Sequence, residues 1–88
     1  MSEAAGSSVP VAHEVVRRSA EKDGRRIVLM RCFDFGAHAQ VACDVYPAGG
    51  PADEPTSAGP YVFRTASEAM RFVEEAALAF RYLGCEIT

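Results

Sequence analysis

The chain has no tryptophan, no hydrophobic run long enough to cross a bilayer, and only three cysteines and two histidines in 88 residues. Each shortage removes a class of function. Without a span of about 20 apolar residues there is no transmembrane helix, and the opening Met1 to Pro10 has neither the basic start nor the apolar core of a signal peptide. A cytoplasmic chain is expected. Cys32, Cys43 and Cys85 are an odd number with no C-x-x-C spacing, which argues against a disulfide framework and for a reducing compartment. The same three thiols with His13 and His38 show no paired ligand spacing, so no metal and no cofactor is expected. No glycine-rich loop precedes a helix, because Gly49-Gly50 is followed by Pro51. The carboxylate pairs Asp53-Glu54 and Glu74-Glu75 fall in a loop and on a solvated helix face, where neither is held as acid–base chemistry requires. The expectation is a protein that is not an enzyme.

What is present is a well-marked helix near the C-terminus. Thr65 and Glu68 stand at capping-box spacing, which predicts that the Thr65 hydroxyl accepts from the Glu68 N–H while the Glu68 carboxylate reaches back. Gly84 supplies a left-handed stop of the Schellman kind, with Cys85 or Ile87 folding onto the last turn. At about 100° per residue, Ala69, Phe72, Val73, Ala76, Phe80 and Leu83 fall on one side. Leu78 and Tyr82 fall on the opposite side among charged residues, an anomaly for a helix that packs on one face only.

Strands precede the helix. His13 to Ser19 and Arg25 to Phe33 flank Glu21-Lys22-Asp23-Gly24, a hairpin signal. A four-residue loop would set Glu14 opposite Arg31 and Val16 opposite Leu29, whereas a two-residue Asp-Gly turn would leave Val16 against Arg31. Ala39 to Tyr46 alternates as a half-buried strand, with Ala39, Val41, Cys43 and Val45 on its core side. Residues 47–60, dense in proline and glycine, read as an exposed flexible loop, and Tyr61 to Arg64 as a short edge strand. Residues 1–11 read as a loose tail, and 12–88 as a single β-β-β-(β)-α domain ending in either a tail or a last extended piece at Cys85 to Thr88. The fold class is α+β: a meander of three to four antiparallel strands covered on one face by a single C-terminal helix.

One helix cannot cover both sides of such a sheet. The uncovered side presents either Val28, Met30 and Cys32 or Ile27, Leu29 and Phe33, with Ala42 and Tyr46 beside them. An open apolar patch marks association, so Val28, Met30, Tyr46, Leu78 and Tyr82 are the candidate interface, most simply of a homodimer or with another protein. The alternative is nucleic acid. The net charge is −3, but Ala12 to Cys32 carries six of the nine basic residues against three acids, a local +3. Arg17, Arg18, Arg25, Arg26 and Arg31 are the candidate contacts of a basic β-ribbon entering a DNA groove.

The stretch Tyr61-Val-Phe-Arg-Thr-Ala-Ser-Glu-Ala69, running into Ala76-Ala77-Leu78 behind three strands, resembles the DNA-binding domain of plant ethylene-response factors and the related arm-binding domain of phage integrases. That resemblance covers about thirty residues and implies a three-strand-plus-helix fold whose strand side chains contact DNA.

Overall fold

The computed structural model describes residues 12–49 and 54–88. The expected tail at 1–11 and part of the expected loop, 50–53, lie outside the described residues.

The strands β1 (His13–Lys22) and β2 (Arg25–Asp34) form the hairpin around a two-residue Asp23-Gly24 turn. Both turn residues have positive φ, 54° and 77°, the geometry that matches the right-handed twist of the flanking strands. The register is neither of the two expected ones. Two bulges intervene, leaving Ile27 extra on β2 and Val15 extra on β1, so that Val16 lies opposite Cys32 and Glu14 opposite Phe33. β3 (Ala39–Val45) pairs antiparallel with β2, and β4 (Thr56–Phe63) with β3. β4 is longer than the expected edge strand. Residues 56–60, expected as loop, are strand with a bulge at Gly59-Pro60, a place where an edge strand tolerates proline. β5 (Glu86–Ile87) closes the far side by pairing with β1, giving a five-stranded antiparallel sheet in the order β4-β3-β2-β1-β5.

The one helix among the described residues, α1 (Ala66–Tyr82), packs on one face of this sheet. Thr65 is its N-cap, with Oγ1 accepting from the Glu68 N–H at 3.1 Å, the half of the capping box that is seen. At the other end Cys85 N–H donates to Phe80 O and Gly84 N–H to Arg81 O, both at 3.0 Å, the Schellman pair, and Gly84 takes φ +92°. The motif turns the chain so that Cys85 is buried and β5 can reach β1. Lys22 adds its ammonium to the negative end of the helix dipole, Nζ donating to Leu83 O at 3.1 Å.

Helix residues Ala69, Val73 and Ala77 are buried one turn apart, over Val28, Met30 and Cys32 of β2, Ala39, Val41 and Cys43 of β3, and Ala20 of β1. The contact surface is made of small side chains; the largest ones fully buried are Met30, Val41, Val73 and Cys32. Alanines at 0–4% exposure on helix and sheet let the two backbones approach closely. Phe72 closes one end of the layer against Tyr61 and Phe63, ring centroids 5.4 and 5.3 Å away. Val45, expected in the core, is 38% exposed at the end of its strand.

Candidate functional site: the helix-free sheet face

Register and alternation sort every strand residue to one face. Val16, Cys32 and Val41 lie side by side, as do Ala20, Val28 and Val45, and these rows face α1. The intervening rows face away. They read Ser19, Leu29, Asp44 and Ser57; then Arg17, Arg31 and Ala42; then Glu14, Phe33, Gln40 and Val62. Leu29 and Phe33 are half-buried and belong to no part of the core cluster, and Val62 is 64% exposed. A shallow depression of about 460 Å³ lies here, with Phe33, Phe35, Ala42 and Pro60 supplying apolar walls and Arg31, Gln40, Asp44 and Ser57 polar ones.

This placement corrects the expected interface. Val28 and Met30 are 4% and 2% exposed, buried under α1, and cannot contact a partner. The reason is the bulge at Ile27: the extra residue turns Val28, Met30 and Cys32 toward the helix and leaves Leu29, Arg31 and Phe33 outside, while Ile27 itself packs against the core. Tyr46 follows β3 beneath the Arg26 guanidinium, 5.9 Å from ring centroid to Cζ. Leu78 and Tyr82 are at 48% and 84% exposure on the outside of α1, joined by Leu83 at 65%, which periodicity had placed on the packed side.

The five candidate arginines do not share a surface. Arg17 and Arg31 are cross-strand partners on the helix-free face, a like-charge pair with Glu14 beside it. Glu14 accepts from Arg17 Nε at 2.9 Å and Nη2 at 3.1 Å, and the Arg17 contact first, with the charges of Arg17 and Arg31, holds its carboxyl below the usual range. Arg31 lies over the Phe33 ring, 5.4 Å from its centroid. Arg26 stands with Tyr46 and pairs across strands with Glu21. Arg18 turns to the helix side, where Nε meets Glu74 Oε2 at 3.0 Å, and Arg25 donates from Nη2 to Pro47 O at 2.6 Å.

The remaining candidate groups are structural in their surroundings. Cys32, Cys43 and Cys85 are free and buried, and burial raises the pKa of Cys32 and Cys43, with Asp34 and Asp44 adding to it. His38 stacks on Phe35 at 4.8 Å with rings nearly parallel and has Nε2 3.2 Å from the Gln40 amide. Among the described residues no three His, Cys, Asp or Glu side chains converge as metal ligands would, and no helix is long and apolar enough to cross a membrane. Gln40 and Asp44 fall, as the alternation of β3 predicts, on the side away from the core, whereas Phe35, Ser57 and Val62 are members of this face that the sequence did not point to. Ser57 and Val62 lie on β4, most of which reads as loop, and only the pairing of β4 with β3 places them beside Asp44 and Gln40. No family model, no curated protein and no solved structure matches the chain.

Proposed function

We propose that this chain is a non-catalytic protein-association module whose docking surface is the helix-free face of its sheet. The observation that carries the reading is the position of Leu29 and Phe33: large apolar side chains at the middle of the sheet, outside the core and with no second layer over them among the described residues. An apolar centre rimmed by mixed charge is the composition of a protein interface. The charge pattern favours protein over nucleic acid. Arg17, Arg26 and Arg31 share the sheet surface with Glu14, Glu21 and Asp44, so the face lacks the net positive field that phosphate binding needs.

The test places a photo-crosslinking side chain at Ala42, in the centre of the face, and another at Arg71 on the helix. A discrete protein adduct from position 42, absent from position 71 and lost in the double variant Leu29→Ser/Phe33→Ser, is the expected result. No adduct at position 42, or tight and steeply salt-dependent retention of the chain on duplex DNA, would overturn the reading.

A further inference from the structure

We infer that two copies of this chain associate through the outer edge of β1, pairing His13 to Arg18 antiparallel with the same segment of a second copy. This edge borders the proposed docking face, to which Glu14 and Arg17 also turn, and the inference stands on the backbone geometry and charge of the edge rather than on that reading.

β1 is ten residues long, but β5 pairs only with Ala20 and Glu21, extended by the two hydrogen bonds between Ser19 and Thr88 at 3.0 and 2.9 Å. Among the described residues no strand lies outside β1 from His13 to Arg18. Backbone direction alternates along a strand, so Arg17 turns its N–H and C=O outward as Ser19 does. An uncovered row of this kind templates another strand.

The segment Glu14-Val15-Val16-Arg17 identifies which strand. A two-fold axis normal to the sheet between Val15 and Val16 sets Glu14 of each copy opposite Arg17 of the other, with Val15 opposite Val16. In a straight strand that centre is forbidden, because residues three apart point to opposite faces and the opposed side chains would not meet. Here Val15 is the extra residue of a bulge, and Glu14 and Arg17 lie on one face, as their two contacts at 2.9 and 3.1 Å demonstrate. The bulge therefore makes the one register allowed that pairs acid with base twice. The existing Glu14–Arg17 contact is between exposed groups and holds them only weakly, so both charges remain available.

Two further features favour this edge. Val15 is 40% exposed, and Leu78, 48% exposed, lines a groove with Arg18 and Ile87 beside it. The opposite edge, Thr56–Phe63, carries no charged residue that could set a register. Pairing through β1 would leave both helices on one side of a continuous sheet and both helix-free faces on the other, doubling the docking surface.

Sedimentation equilibrium of the full chain reads the association. The expected result is a dimer that forms below about 1 mM, which Glu14→Arg and Arg17→Glu each weaken by about tenfold or more, since each variant opposes like charges at two positions. Mixing the two variants restores the pairing as a heterodimer. In it the arginine introduced at position 14 of one copy faces the glutamate introduced at position 17 of the other, and the native Arg17 and Glu14 that remain face each other. Loss of the internal contact cannot produce that outcome. A wild-type chain that stays monomeric, variants that associate as tightly as wild type, or a mixture that forms no heterodimer would overturn the inference. Where a variant fails to fold, amide exchange of the wild type decides. Protection of the Arg17 N–H must rise with protein concentration, and protection independent of concentration overturns the edge. Crosslinking at position 42 is done on the chain with native Glu14 and Arg17, so a failure of the edge and a failure of the docking face are read separately.

Discussion

Alternate residues of β2 live in two environments. Val28, Met30 and Cys32 are exposed by 4, 2 and 0% under α1, whereas Leu29, Arg31 and Phe33, on the same strand, sit half-buried on the other side. Both sets include large apolar side chains, so hydrophobicity alone does not explain which set is inside. The covered face is built from small groups that let the helix approach, and the open face keeps two phenylalanines, Phe33 and Phe35, outside the core. One face supplies stability and the other availability. The largest expected effect tests that division. Met30→Ala should cost about 3 kcal/mol, the usual range for a buried methionine, while Leu29→Ala should cost less than about 1 kcal/mol; urea denaturation measures both. Equal costs would mean that the open face is part of the core.

The covered face depends on α1 being held at its ends. Gly84→Ala puts a Cβ at φ +92°, where it meets only the Lys22 Cε and Nζ at 3.7 Å. There is space, so the cost is conformational, roughly 1 to 2 kcal/mol. Thr65→Ala removes the acceptor of the Glu68 N–H and should cost about 1 kcal/mol. Thermal melts at neutral pH check both. Both changes should weaken the covered face and leave contacts of the open face intact in whatever fraction remains folded.

The thiols sharpen the comparison from the inside. Burial, helped by Asp34 and Asp44, raises the pKa of Cys32 and Cys43 above the ordinary value near 8.5. With the folded value above the unfolded one, their contribution to stability is complete below the unfolded pKa. It declines as the pH rises through that value toward the folded one. The melting temperature should therefore fall as the pH rises past the ordinary thiol value of about 8.5, and the Cys32→Ala/Cys43→Ala variant should show a shallower fall. Alkylation of either thiol in the folded chain at the rate of a free cysteine would contradict the burial.

Local signals in the sequence carried the helix and its caps, because Thr65, Glu68 and Gly84 act within one turn of where they stand. The class, antiparallel sheet plus one C-terminal helix, followed from alternation in Ala39 to Val45 and the Asp23-Gly24 turn. The sorting of β2 residues was not legible. Ile27-Val28-Leu29-Met30 is apolar throughout, so no alternation marks its inner face, and a bulge at Ile27 reverses the choice without leaving a glycine or proline to announce it. The length of β4 was hidden for the opposite reason: Gly59-Pro60 looks like a break, yet pairing resumes across it because the other edge of β4 is free among the described residues.

The smallest expected effect concerns Ser19, which belongs to the helix-free rows yet is only 6% exposed. Its Oγ is buried with no hydrogen-bond partner among the described residues. A buried hydroxyl left unpaired carries a desolvation cost that nothing returns, so removing it should be neutral or stabilising by up to about 1 kcal/mol. The methyl of alanine fits where the Cβ already sits, and Leu29 opposite keeps its packing. Ser19→Ala should thus leave the denaturation midpoint unchanged or slightly raised. A loss of more than about 1 kcal/mol would show that the hydroxyl is bonded in solution. Ser19 would then be held by a polar partner on the helix-free side, and the contrast between a covered and an open face would rest on the rows beyond it.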